Sequence, residues 1–262
     1  MAVSLRHRRR GRPGESANRD RGPIPDARTL PRARTPAIIR AVATTAAQLN
    51  DFYQAMYDAY GQQHWWPGET PFEVMVGAVL TQNTAWGNVE KAITNLKHAD
   101  MLDPHKIAAT QHEQLAELIR PSGYFNIKAK RLKSLVQWFI DTCDGDPERL
   151  YAISTETLRE SLLSIKGVGR ETADSIALYA AEKPTFVVDA YTYRILYRHH
   201  LVDDDADYES IKELFESNLL EDVSLYNEYH ALIVQVGKYH CKPKAKCDGC
   251  PLAQFEHDEC RS

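Results

Sequence analysis

Three groups of residues in this chain are of types and spacings that could do chemistry. The first centres on Asp189, which ends a short apolar run, Thr185-Phe186-Val187-Val188, and heads an amphipathic stretch. A carboxylate so placed caps a helix, and one held in a fixed orientation can also stabilise developing positive charge or position a water. Upstream, Gly167-Val168-Gly169 makes a tight turn between a helix ending in Leu162, Leu163 and Ile165 and another opening at Arg170-Glu171-Thr172. Glycines allow φ > 0 and close backbone approach, and unpaired amides at a helix start can grip a phosphate without a basic side chain. Such a turn also serves as a plain connection. The second group is Trp65 and Trp66, in a loop closed by Pro67 and Gly68. Paired tryptophans either plug a core or form a shelf on which a flat ring stacks. The third is Cys241, Cys247, Cys250 and Cys260, spaced C-x5-C-x2-C-x9-C, with Cys143 apart. Clustered thiols of this kind point to a metal rather than disulfides, and their spacing alone leaves zinc and iron–sulfur open.

The elements that must position these residues read as helices. Apolar residues recur at helical spacing in 37–60 (Ile38, Ile39, Val42, Leu49, Phe52, Met56), and Phe72 to Leu80 is an apolar helix. The stretch 115–139 holds a turn at Arg120-Pro121-Ser122-Gly123 and then Lys128, Lys130, Arg131 and Lys133, either a solvated helix face or a phosphate contact. Ala173, Ile176, Ala177 and Ala180 give a small-residue face. Strand-like alternation is almost absent, so the expectation is an all-α fold. At 262 residues and 43% hydrophobic content the chain can bury a large core. No apolar run approaches the roughly 18 residues of a membrane span, and no secretory signal is evident, so a cytoplasmic protein is expected. The net charge of −4 hides an asymmetry: eleven Arg against three acids put residues 1–40 at +8 and leave the remainder at −12. That Arg-, Pro- and Gly-rich segment, 1–36, reads as a disordered tail, with an Arg arm on nucleic acid as its functional reading.

The hairpin Leu162-Leu163-Ser164-Ile165-Lys166-Gly167-Val168-Gly169-Arg170, followed by Val188-Asp189, closely resembles the helix-hairpin-helix base-excision DNA glycosylases of the endonuclease III superfamily. The resemblance covers roughly residues 50–260. It implies a two-lobed fold: a helical barrel domain over 69–185 with the hairpin at about 162–180, and a terminal helical domain over 37–68 and 186–262. It makes Asp189 catalytic and Gly167, Val168, Gly169 and Arg170 DNA contacts. The string from Trp65 to Trp86 is similar to one branch especially, the endonuclease III-like 3-methyladenine glycosylases, and so is Arg120-Pro121-Ser122-Gly123-Tyr124-Phe125-Asn126. Carried over, Trp65, Trp66, Pro67 and Trp86 line a pocket for a flipped-out base, and Gln82 enters the gap that base leaves. Aromatic faces favour cations, a physical reason for such a pocket to take alkylated purines. Lys128 and Lys130 beside the glycine turn are then expected on phosphates.

Where endonuclease III has the Schiff-base lysine after the hairpin, this chain has Glu171, and a carboxylate cannot form an imine. Glu171 therefore joins the expected base pocket, and the expected reaction is base removal without strand cleavage. The alternatives are a bifunctional glycosylase with abasic-site lyase activity and a catalytically silent DNA-binding protein. Gly237-Lys238-Tyr239-His240-Cys241 and Cys247-Asp248-Gly249-Cys250-Pro251 resemble the close of endonuclease III, which implies a [4Fe-4S] cluster on Cys241, Cys247, Cys250 and Cys260. The family's intervals are six, two and five residues; here they are five, two and nine. Lys244, between the first two ligands, is expected on phosphate. The implied partner is double-stranded DNA with a damaged base, bound by a monomer.

Overall fold

The computed structural model of the chain describes residues 44–258, and every regular element among them is helical. Twelve α-helices follow one another: α1 (Thr45–Tyr60), α2 (Pro71–Leu80), α3 (Trp86–His98), α4 (Pro104–Ala109), α5 (His112–Leu118), α6 (Phe125–Cys143), α7 (Glu148–Ala152), α8 (Thr155–Leu163), α9 (Arg170–Ser175), α10 (Ala190–Arg198), α11 (Tyr208–Glu216) and α12 (Val223–Tyr239). The sequence writes several of their starts. Thr44, Thr70, Asp103, Ser154, Asp189, Asp207 and Asp222 each accept a first-turn backbone N–H through the side chain. The Arg-rich segment 1–36, and Ile38, Ile39 and Val42 of the expected first helix, lie outside the described residues.

The buried apolar side chains form two clusters. One gathers round α2, of which nine residues are buried, and takes in α3 to α6, α8 and α9. The other is built from α1, α10, α11, α12 and the run Phe186-Val187-Val188. Between them α9 widens into a single π-helical turn, Ile176–Ala180. Ile176, Ala177 and Ala180 face the first cluster, Leu178 the second, and Tyr179 packs against both. A turn of this kind shifts the register of one helix face and is frequent at functional sites. It places Tyr179 at the seam.

Asp189 is carried to the same seam by an extended segment with no sheet to hold it. Side chains take over that task. Phe186 N–H donates to Glu216 Oε1 (2.7 Å) and Val188 N–H to Tyr208 Oη (3.4 Å). Tyr208 in turn donates to Asp174 Oδ2 (2.8 Å), which is fully buried and paired with Arg159. On the far side α10 crosses α12 so closely that a Cβ on Gly237 would lie 2.3 Å from the Tyr191 ring. The residue at the head of α10 is thus braced from α9, α11 and α12.

Candidate active site

Asp189 is the N-cap of α10. Its Oδ1 accepts from Thr192 N–H (2.8 Å) and Thr192 Oγ1–H (2.9 Å), while Thr192 Oγ1 accepts from Asp189 N–H (3.3 Å). This reciprocal box fixes the carboxylate at the N-terminus of α10. Its Oδ2 faces His230 Nε2 at 3.8 Å, and only 14% of the Asp189 side chain is exposed.

A wall of rings leads up to this carboxylate. Trp66 lies edge-on to Trp86 (centroids 5.1 Å) and Trp65 (5.5 Å), and tilted against Tyr179 (5.2 Å). Tyr179 reaches His230, its hydroxyl 2.7 Å from Nδ1. The three tryptophans are half-buried and Pro67 is exposed. Trp66 covers Gly77 of α2 and packs on the first core with Trp86, so the core-plugging reading holds for these two. Trp65 is not part of that core. Burial raises the Tyr179 hydroxyl well above the ordinary range, helped by the Asp189 charge, so it remains a proton donor.

Glu171, in the first turn of α9, is pushed up to about 7, by desolvation first and by the Asp189 charge second. Its side chain is nevertheless open to solvent. The two facts agree for a carboxyl crowded by protein on one side and reached by water on the other. The site therefore holds two carboxyl groups, one fixed in a helix cap and one poised to gain or lose a proton near neutrality.

Gln82, in the turn after α2, is tied to the hairpin. Its amide donates to Gly167 O (3.1 Å) and Thr172 Oγ1 (2.9 Å), and its Oε1 accepts from Arg131 (2.5 Å). Entry of this side chain into a duplex would require release of those three bonds. Gly167 has φ +96°, and a Cβ there would stand 2.4 Å from Arg131 Cγ, so glycine is required twice over. Val168 is buried and its N–H is already bonded to Ile165 O; its part is packing rather than a phosphate contact. Gly169 caps α9 without a side-chain bond, leaving the first-turn amides open to another acceptor. Arg170 is exposed and pairs with Glu209 (3.1 Å).

Lys128 is a second expected contact that is overturned. Lys128 is 1% exposed, and its ammonium donates to Leu80 O and Ser122 O, both at 2.7 Å. Leu80 is the last residue of α2, whose terminal carbonyls lack helical partners, so Lys128 caps that helix from α6. Burial, and the Arg131 charge after it, lower its ammonium to about 8. Lys130 and Lys244 are exposed, as a phosphate contact needs.

Cys241, Cys247 and Cys250 line one small cavity beneath the end of α12, together with Arg198, His199 and His257. Arg198 Nη1 lies 3.3 Å from Cys241 Sγ and also donates to Lys242 O, and Arg194 Nε holds Cys241 O (2.8 Å). Cys260 lies outside the described residues. Among those that are described, no three His, Cys, Asp or Glu groups converge as ligands of a single metal ion. Tyr179 and His230 are the site residues that the sequence did not disclose. Each sits within a helical apolar pattern that assigns it to a core, and only the polar atom on an apolar face is a signal.

The comparison with known proteins agrees with this geometry. A family model described as HhH-GPD superfamily base excision DNA repair protein matches residues 76–220, and the chain belongs to that superfamily. Within it, the chain is one of the endonuclease III-like DNA glycosylases of base excision repair. It is 51% identical over 205 residues to MJ1434 of Methanocaldococcus jannaschii, provisionally named a DNA repair glycosylase, covering 78% of this chain and 93% of that one. It is 31% identical to endonuclease III of Thermotoga maritima over 70% of this chain and 80% of the relative. Among solved structures, the H. pylori 3-methyladenine DNA glycosylase MagIII bound to 1,N6-ethenoadenine matches with a TM-score of 0.64 at 32% identity, covering 75% of this chain and 98% of that one. A non-covalent endonuclease III–DNA complex shares the fold, with a TM-score of 0.69 at 23% identity over 81% of this chain and 95% of that one. No helix of the described residues is long and apolar enough to cross a membrane.

Proposed function

We propose that this chain is a monofunctional DNA N-glycosylase that flips an alkylated purine, such as 3-methyladenine, out of double-stranded DNA and hydrolyses its glycosidic bond. The observation that carries this reading is the pair of carboxyl groups. Where a lyase of this superfamily presents an amine, the chain has Glu171, close enough to Asp189 for the one charge to move the other's proton. The tryptophan wall and the MagIII relative, whose ligand is a modified purine, support the substrate class. The two cores correspond, on this reading, to two lobes, with the base entering at the seam and the chain acting as a monomer.

The chemistry follows from the geometry. As the bond from C1′ to the base nitrogen breaks, positive charge develops on the sugar, and the fixed Asp189 carboxylate stabilises it. Water then supplies the oxygen to C1′. An alkylated purine carries positive charge and departs neutral, so it needs no proton; the rings of Trp65, Trp66 and Trp86 stack on it and favour its charge. Gly169, Arg170, Lys130 and Lys244 hold the backbone phosphates.

Cys241, Cys247 and Cys250, joined by Cys260, are proposed to hold a [4Fe-4S] cluster. Three thiols that line one small cavity are the ligand type such a cluster takes, one thiolate to each iron. When bound, the cluster fixes the loop that carries Lys244, and no step of base release runs through it. The purified protein is expected to be brown with broad visible absorbance, and equimolar zinc in a colourless protein would refute the cluster.

The deciding assay uses duplex DNA bearing methylated purines, analysed directly and after alkali. The expected result is free methylated base, with strand breaks only after alkali. Asp189→Asn is expected to abolish base release and keep affinity for an abasic-site duplex. Breaks without alkali, trapped by borohydride, would assign lyase chemistry to another amine and overturn the monofunctional reading.

A further inference from the structure

The active-site reading leaves one buried group unused. His230, on α12, is 5% exposed, and its Nε2 has no hydrogen-bond partner although it points at Asp189 Oδ2, 3.8 Å away. An orphaned ring nitrogen in such a place is costly unless it has work to do.

The neighbours decide which nitrogen carries the proton. Tyr179 Oη lies 2.7 Å from His230 Nδ1, so either the phenol donates to a bare Nδ1 or Nδ1–H donates to the phenol oxygen. In the second case a bare Nε2 lone pair would face the Asp189 carboxylate, two electron-rich atoms in a site with little water. In the first, Nε2–H faces that oxygen and attracts it. Asp189 has an oxygen to offer, because both Thr192 bonds fall on Oδ1. Burial holds the imidazole below its ordinary range against the opposing pull of Asp189, so the neutral ring with one proton is the form that matters. The ionisable groups around it are Asp189 from the cap of α10, Tyr179 from the π-helical turn and, beyond Tyr179, Glu171 from α9.

We propose that Tyr179, His230 and Asp189 form a relay in which the phenol fixes the imidazole tautomer and His230 Nε2–H aims the free oxygen of the catalytic carboxylate. His230 is thus a positioning residue. The present 3.8 Å is longer than a hydrogen bond, which closes to about 2.7–3.2 Å. Closure by about 0.6–1.1 Å, as the sugar draws Asp189 toward C1′, would complete it in the reacting state; in apo sites such bonds are commonly long and tighten on binding. The box on Oδ1 and the imidazole on Oδ2 would then hold the carboxylate at both ends.

This proposal rests on Asp189 being the catalytic carboxylate, and the experiment separates the two. The base-release rate is measured under single turnover on methylated duplex for wild type, Asp189→Asn, His230→Leu, His230→Gln and Tyr179→Phe. Affinity is measured in parallel on a duplex carrying a tetrahydrofuran abasic-site analogue. His230→Leu is expected to slow base release by about 10- to 100-fold, the range for losing a charge-assisted hydrogen bond, with affinity within about twofold of wild type. His230→Gln, whose amide nitrogen falls near the Nε2 position, is expected to recover most of that loss. Tyr179→Phe is expected to slow the reaction less and to shift the acid limb of its pH profile, because the freed imidazole then titrates more readily. Nitrogen NMR of histidine-labelled wild-type protein supplies a readout independent of activity: the proton is expected on Nε2, and on Nδ1 in a substantial share of Tyr179→Phe. A proton on Nδ1 in the wild type, or His230→Leu at full rate while Asp189→Asn is dead, would overturn the relay and leave the site intact. Full base release by Asp189→Asn would overturn the site itself.

Discussion

Glu171 is the residue whose ionisation should be visible in the kinetics. Folding raises its carboxyl from 4.5 to about 7, so the folded chain holds this proton more tightly than the unfolded one. Its contribution to stability is therefore present below about 4.5 and lost as pH rises through about 7. In the reaction the sign depends on the leaving group. A neutral base such as 1,N6-ethenoadenine gains from a protonated Glu171, which can share its proton with the departing nitrogen. A cationic methylated purine gains instead from the ionised form. Base release from an ethenoadenine duplex is thus expected to fall as pH rises through about 7, while release from methylated duplex does not, and Glu171→Gln should flatten both profiles. Equal profiles for the two lesions would remove Glu171 from the pocket. At this scale the sequence was legible where spacing carries meaning: Asp189 follows the hairpin at a telling distance and indeed sits in a cap. It was not legible where the third dimension decides. Tyr179 and His230 are 51 residues apart and meet only because a widened turn and α12 converge. Lys128 stands in a run of charges that reads as solvated, yet its position on α6 faces the unpaired end of α2.

At the scale of elements, the Asp189 cap, catalytic on the proposed reading, is only as well placed as the crossing of α10 with α12. Gly237 allows that approach, since any Cβ would meet Tyr191 Cβ, Cγ and Cδ1 at 2.3–2.5 Å, atoms that cannot swing away. Gly237→Ala gains about 1 kcal/mol of helix propensity but forces the two helices apart, an overpacking cost of about 1–3 kcal/mol. The expected net effect is a Tm lower by several degrees, and a base-release rate that falls more than DNA affinity, because Asp189 rides on α10 while the phosphate contacts lie elsewhere. Thermal unfolding and single-turnover rates test this, and a variant as stable and as fast as the wild type would show that the crossing tolerates displacement. Helices such as α2 could be read directly, from an apolar run behind Thr70-Pro71. The π-helical turn could not, because a shift of hydrogen-bond register leaves no mark in composition. The bracing of 185–188 by Tyr208 and Glu216 was hidden for a related reason: an apolar run before an Asp shows burial but not what holds its amides.

For the whole molecule the question is how a chain of net charge −4 approaches a polyanion. Residues 41–262 carry −12, so long-range attraction cannot come from the folded body as a sum. On the proposed reading the body's answer is local: the amides at the start of α9 and the exposed Lys130 and Lys244 are the groups available to phosphates. Residues 1–40, at +8, are the chain's one strongly cationic stretch, and most of their arginines fall within the first 36 residues, outside the described residues. If these arginines neutralise phosphates, they act on encounter and general affinity, not on the chemical step. Counterion release then makes the prediction quantitative: every phosphate that the arginines no longer neutralise lowers the slope of log affinity against log salt by about 0.9. A chain lacking residues 1–36 is expected to bind undamaged duplex more weakly at low salt, with a shallower salt slope, and to release base at the full-length rate once enzyme saturates the DNA. Titrations of both chains over a range of salt concentrations test this. An unchanged slope would mean that the phosphates are neutralised from the body alone, and that the acidic surface is compensated entirely by the hairpin and the lysines around it.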